Sequence, residues 1–170
     1  MAEPQKNIFE LLSQIPELLL IGGHALQAHN VVRQTVDVDC LVPETRASAL
    51  EEVLGSAGFS RLARTENFSR FRHPHLGHVD ALFVDPLTFD QLSRQSLPYQ
   101  IGDVTLRVPS LGHLIALKLH AIKNDPAREL RDLSDIAEIV KRNSFSNDEL
   151  HRLCLRFGPA GIWDKVQAHI

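Results

Sequence analysis

Thr35-Val36-Asp37-Val38-Asp39-Cys40-Leu41-Val42 reads as a β-strand, and its alternation decides the fold. Strand side chains point to opposite faces in turn. Val36, Val38, Cys40 and Val42 therefore form one wholly apolar face suited to a core. Asp37 and Asp39 share the other face, roughly 6–7 Å apart along the strand. Aspartate is disfavoured in strands, and two like charges this close repel, so a compensating partner is required. A divalent cation supplies one, and carboxylate oxygens are the hard ligands that magnesium takes. The competing reading is a solvent-facing strand that merely carries two aspartates.

Two neighbouring stretches favour the cation. Upstream, Leu18-Leu19-Leu20-Ile21 is a short apolar run closed by Gly22-Gly23, a buried strand entering a tight turn. A short helix over 24–29 follows. Downstream, 78–84 reads as a strand stopped by Asp85-Pro86. Its faces are His78, Asp80, Leu82 and Val84 on one side and Val79, Ala81 and Phe83 on the other, so Asp80 is a third carboxylate in an apolar setting that calls for a partner. Around these lie an N-terminal helix from Pro4 to Ser13, ended by Pro16, and a helix from Glu44 to Leu54. Two irregular strands over 59–74 turn near Glu66-Asn67. A turn at Ile101-Gly102-Asp103-Val104 leads into a strand over 104–108.

After Pro109 the pattern is helical. Ser110 caps a helix running to Lys123, Asp125-Pro126 opens the next, and Ser146 with Glu149 forms a capping box stapled by Phe145 and Leu150. The expected boundary lies at 108/109: a core over 1–108 and a helical segment over 109–170 packed on it. At about 100° per residue, Lys118 falls near the centre of an apolar arc made by Leu111, Leu114, Ile115, Ala121 and Ile122. A lysine there must snorkel, pair with an acid or reach a ligand. Asp132, at the edge of the next helix's apolar face, is its natural partner, while Asp135 and Arg128 read as exposed pairs. His73, His75 and His78 are broken by proline and joined by no cysteine, so zinc is not expected. Phe157 and Trp163 read as packing residues.

The 170 residues, 44% hydrophobic and 23% charged, describe an ordinary globular chain able to bury a core. A net charge of -3 and a pI near 6.3 argue against a general nucleic-acid or membrane-surface binder, though a local basic groove stays open. Cys40 and Cys154 read as free thiols in a reducing compartment. The start MAEPQKNIFE lacks the grammar of a signal peptide and no apolar run reaches membrane-span length, so the expected location is cytoplasmic.

Ile21-Gly22-Gly23, then Asp37-Val38-Asp39, then Val79-Asp80-Ala81 resembles the nucleotidyltransferase superfamily related to DNA polymerase beta. More narrowly, IGGHALQAHNVVRQTVDVDCLV is similar to small bacterial AbiEii-like proteins, which include abortive-infection toxins. VPSLGHLIALKLHA and ARELRDLSDIAEIV are similar to their helical segments. Asn30 stands where those relatives often have glycine. The resemblance runs from about 18 to 140 and implies an α+β fold: a minimal nucleotidyltransferase fold, a mixed sheet flanked by helices with a C-terminal helical segment. It implies two magnesium ions, or manganese, held by Asp37, Asp39 and Asp80, with Asp80 beside the attacking hydroxyl. It further implies a nucleoside triphosphate approached by the main chain at Gly22 and Gly23; read from the residues themselves, Arg33 either reaches a phosphate or pairs with a neighbouring acid, Thr35 backs the nucleotide site from the aspartates' face, and Lys118 is a nucleotide-binding candidate, with His24, His78 and Asp132 in support. The expected reaction moves a nucleoside monophosphate onto an acceptor hydroxyl of a tRNA, a protein or a small molecule, in an enzyme that has a cognate antitoxin if it is a toxin. The alternative is a non-catalytic nucleotide- or partner-binding module on the same fold.

Overall fold

The computed structural model describes residues 7–170; positions 4–6 of the expected first helix lie outside the described residues. The chain forms two compact units, one made of residues up to His24 with Gln34–Val108, the other of Ala25–Arg33 with Pro109–Ile170.

The first unit is built on a five-stranded mixed sheet in the order β1-β2-β5-β4-β3. These strands are β1 (Leu19–Leu20), β2 (Val38–Pro43), β3 (Ser60–Arg64), β4 (Phe68–His73) and β5 (Gly77–Val84). Only β2 and β5 run parallel, with Asp39 opposite Asp80 and Cys40 opposite Ala81. The other pairs are antiparallel. One face is mostly apolar, with Val38, Cys40, Val42, Phe71, Val79, Ala81 and Phe83 all buried, and Ser69 and His73 of β4 buried on the same side. The carboxylate strand, expected from Thr35, begins later: β2 starts at Val38. Asp37 sits in a bend, and Val36, assigned above to the core face, is exposed. Among the described residues no strand pairs with 35–37, so the ladder that would hold them in the pleat begins only at Val38.

Helices accompany the sheet: α1 (Ile8–Leu12), α3 (Ala47–Ser56) and α4 (Pro86–Arg94), the last packed on β2. Asn7 and Glu10 close a capping box at the start of α1. Glu51 of α3 takes Arg61 and Arg64 of β3, and the Arg64 guanidinium lies 4.8 Å above the Phe83 ring. The sequence reading overlooked α4, although Asp85 accepts from the Thr88 amide and Pro86 opens the first turn. β6 (Leu97–Ile101) and β7 (Val104–Val108) form the expected hairpin, with Gly102 at φ 60 in its turn.

α2 (Gly22–Ala28) starts in the first unit and ends in the second. The second unit continues with α5 (Leu111–Asn124), α6 (Glu129–Asn143), α7 (Asn147–Phe157) and α8 (Ile162–His169), with α5 against α6 and α7, and α8 against α6 and α7. Ile115, Leu119, Ile136, Ile139 and Leu150 are fully buried. Asn30 takes φ 64, a left-handed conformation that asparagine tolerates better than most residues. Its neighbour His29 hydrogen-bonds the Pro109 carbonyl and offers its own carbonyl to the Asn143 amide. Among the described residues, no helix is long and apolar enough to cross a membrane.

Candidate active site

The face of the sheet opposite the apolar core carries the charge. Because β2, β5 and β4 are in register there, polar side chains fall into rows running across the strands. Asp39 stands beside Asp80, and Asp80 beside Arg70 of β4. In the adjacent row, the Asp37 carboxylate lies 3.4 Å from His78 Nδ1, and His78 is the cross-strand neighbour of Arg72. Acid on β2 thus gives way to arginine on β4. The alternation expected for β5 holds: Val79, Ala81 and Phe83 are buried, while His78 and Asp80 face the charged side.

The glycine turn is shaped by what leans against it. Gly22 has φ 58, and a Cβ there would sit 2.1 Å from Asp39 Oδ2. A Cβ on Gly23 would sit 2.5 Å from the Thr35 Cβ. Both positions exclude any side chain, so the carboxylate and the threonine rest directly on main chain. Thr35 donates through Oγ1 to the Asp37 carbonyl, holding the bend that presents Asp37. The His24 ring meets Phe9 edge-on at 5.0 Å.

The donor set suits a hard divalent cation on its β2 side: Asp37, with 43% of its side chain exposed, and Asp39 are carboxylates two residues apart on an open face. Asp80 stands beside them, but its oxygens are taken. Arg70 donates Nε to Oδ1 at 2.7 Å and Nη2 to Oδ2, a forked ion pair. Asp80 in turn pushes the Arg70 pKa up, with Asp37 and Asp39 adding to the effect. Among the described residues, no three His, Cys, Asp or Glu side chains gather tightly enough to enclose an ion. Cys40, buried beneath the carboxylates, has its thiol pKa pushed far up by burial and then by Asp39 and Asp80, so it remains a thiol.

The second unit holds an ion-pair chain. Arg33 and Lys118 both contact Asp135 Oδ2, Lys118 Nζ also reaches Asp132 Oδ1 at 3.1 Å, and Arg128 closes on Asp132 Oδ2 at 3.0 Å. Asp132 pairs with Lys118 as the helical wheel suggested. Asp135 and Arg128, expected as exposed pairs, instead belong to this network, and Asp135 is buried. The wheel placed Asp135 too far round because it ignored Lys118 and Arg33, whose charges make that burial tolerable. Arg33 also lines a groove of about 550 Å³ with Val31, Val32, Leu130 and Arg131. Phe157 and Trp163 are half-buried, and Trp163 stacks on His151 at 4.4 Å.

A family model described as Nucleotidyl transferase AbiEii toxin, Type IV TA system, matches residues 9–160. The chain belongs to this family. Among solved structures it is similar to ANT(2'')-Ia in complex with adenylyl-2''-tobramycin, at 17% identity, TM-score 0.67, over 88% of this chain and 94% of that one. It is also similar to LnuA, a lincosamide antibiotic adenylyltransferase, at 14% identity, TM-score 0.58, over 82% and 98%. The Megavirus polyadenylate synthase matches at 12% identity and TM-score 0.58 over 81% of this chain and 31% of its own. At such identities the likeness is one of fold, and the mixed α+β sheet expected from the sequence is that fold. No curated protein matches. The family places this chain among nucleotidyltransferases of toxin–antitoxin systems.

The structure brings Asp37, Asp39, Asp80, Gly22, Gly23, Thr35 and His78 together within the first unit. Arg33, Lys118 and Asp132 lie in the second, where their charged groups are held by one another and by Asp135. The sequence reading missed Arg70. Its signal was the alternation Phe68-Ser69-Arg70-Phe71-Arg72-His73, which sets two arginines on one face of a strand.

Proposed function

We propose that the chain transfers a nucleoside monophosphate from a nucleoside triphosphate to an acceptor hydroxyl, with a divalent cation held first by Asp37 and Asp39. The observation that carries this reading is the in-register pair Asp39 and Asp80 on one open face, with Asp37 at the strand entrance and Gly22 bare beneath Asp39. Magnesium bound there would neutralise charge gathering on the phosphate oxygens and orient them. The protein's own part is positioning. Gly22 lets the main chain approach closely, Thr35 fixes the bend, and His78 orients Asp37 from the neighbouring strand. Asp80, two strands in from the edge, is the carboxylate nearest the cationic side of the sheet and the candidate to receive the acceptor proton.

Lys118 serves this reading differently from the expectation. Its ammonium is buried between two carboxylates, so it organises the second unit and leaves Arg33, on a groove wall, as the better candidate for a phosphate. An antitoxin partner and a cytoplasmic location are part of the same proposal; the family description supports the first and two buried free cysteines are consistent with the second.

The test uses labelled nucleoside triphosphates, magnesium, and three acceptor classes: total tRNA, cell protein and an aminoglycoside. Transfer by the wild type, lost in the Asp37→Asn, Asp39→Asn double variant, is the expected outcome. Nucleotide binding without transfer to any acceptor would make the chain a binding module instead.

A further inference from the structure

We propose that the groove between residues 31–33 and α6 is a binding site for a small phosphate monoester that carries an apolar body. The proposal goes beyond the transfer reading and does not depend on it, since every residue it uses lies in the second unit. It begins with a helix face. Leu130, Ser134 and Glu138 recur every fourth residue on α6, with Arg131 beside them, so they share one side of the helix. Along that side runs a groove of about 550 Å³ whose other wall includes Val32 and Arg33, a volume within the span of small-molecule sites.

Two kinds of surface are left uncovered in this groove. The first is apolar: Val32 is 90% exposed and Leu130 75% exposed, and a ligand body laid over them removes that area from water. The second is cationic. Arg131 is exposed and makes no ion pair among the described residues. Arg33 donates to Asp135 through Nη1, and among the described residues its Nε and Nη2 are left over for a ligand. The acids of the groove are already answered. Glu138 pairs with Arg142, and Asp135 holds Lys118 Nζ at 2.7 Å as well as Arg33. In the ion-pair chain behind the wall, the cations Arg33, Lys118 and Arg128 outnumber the carboxylates Asp132 and Asp135. The groove is therefore locally cationic in a chain whose net charge is -3.

An anion meets that surplus, and the amount of charge selects its class. A phosphate monoester carries about 1.5 to 2 negative charges at neutral pH, enough to answer both Arg33 and Arg131, and guanidinium forks match its oxygens. A carboxylate leaves one of the two arginines unanswered, a triphosphate brings more charge than they balance, and a cationic ligand finds no unpaired acid. Arg33 is able to turn toward the ligand at little cost to the interior, because Lys118 stays on Asp135. The Ser134 hydroxyl, exposed on the same wall, adds a donor.

A heteronuclear NMR titration of the full chain without metal, following the amides of 31–33 and of α6, tests this with inorganic phosphate, phenyl phosphate and benzoate. Phenyl phosphate is expected to bind on the order of tenfold tighter than inorganic phosphate, the gain from covering about 50–60 Å² of apolar surface, and tighter than benzoate, which has the same body and less charge. Arg131→Gln alters an exposed side chain without an ion pair, so it is expected to fold as the wild type does and to weaken phenyl phosphate on the order of tenfold. Leu130→Ser is expected to abolish the advantage of phenyl phosphate while leaving inorganic phosphate unchanged. Shifts absent from this groove, benzoate binding as tightly as phenyl phosphate, or an affinity unmoved by Arg131→Gln each overturn the proposal. Metal-free ATP that displaces phenyl phosphate at a lower concentration than phenyl phosphate itself requires also overturns it, since the groove would then belong to the triphosphate. The Asp37→Asn, Asp39→Asn double variant is expected to bind phenyl phosphate as the wild type does, so failure of the transfer reading and failure of this one are seen separately.

Discussion

Gly22→Ala separates two explanations of the glycine turn. In one, Gly22 is there for the main chain's sake, since φ 58 is costly for any residue with a Cβ; in the other, it is there for Asp39. The structure supplies both magnitudes. A left-handed alanine costs roughly 1–2 kcal/mol. The new methyl would also lie 2.1 Å from Asp39 Oδ2 and 2.8 Å from its Cγ, well inside contact distance. The carboxylate must therefore retreat, leaving its rotamer at about 0.5–1.5 kcal/mol more, or push β2 away from the turn. Gly102→Ala is the matched control, because Gly102 has φ 60 with open space where its Cβ would go. Urea unfolding of both variants should show Gly22→Ala the less stable by about 1 kcal/mol. Cation affinity should discriminate further: unchanged in Gly102→Ala, and down on the order of 10–100-fold in Gly22→Ala, the range for disturbed ligand support. Equal destabilisation of the two variants, with Mn²⁺ affinity intact in Gly22→Ala, would refute the claim that this glycine makes room for the carboxylate.

Two further outcomes follow from the second unit. Lys118→Met strands Asp132 and Asp135 in the interior with less cationic charge, so urea unfolding should register a loss of about 3–5 kcal/mol; the triple variant with Asp132→Asn and Asp135→Asn should be more stable than Lys118→Met alone, and a triple variant worse than the single would disprove the network. His113 has its pKa lowered by burial, so the unfolded chain binds its proton more readily. Its contribution is present above the unfolded value near 6.5 and is lost as pH falls through the lower folded value. The melting temperature of the wild type should therefore drop more steeply on acidification than that of His113→Gln, and parallel curves would count against it.

How far the sequence carried depended on whether a signal was local. The apolar face of β2 and the alternation of β5 are periodic patterns, and both read correctly from Val38 to Val42 and from His78 to Val84. The start of β2 did not, because strand character at Thr35–Asp37 needs a partner strand, and pattern alone does not say where pairing stops. Helix α4 was announced by Asp85-Pro86 but read only as a stop, since the same two residues end a strand and open a helix. The ion-pair chain shows a deeper limit. Lys118 and Asp132 were legible as a pair from two helical wheels. Asp135 was not, because its burial depends on Arg33, distant in sequence, supplying the compensating charge.

Arg70 is the most instructive omission, because the question it answers had been asked. Paired aspartates on a strand require a counter-charge, and from sequence the only supplier in view was a metal. The same requirement is met for Asp80 by a residue ten positions earlier, brought opposite by a hairpin register that no periodicity encodes. The two answers are compatible in sequence, but they compete in space. The forked pair at Asp80 needs no ion: Arg70 relieves one of the like charges of this face from within the sheet itself, and a cation approaching Asp80 would have to contend with that guanidinium.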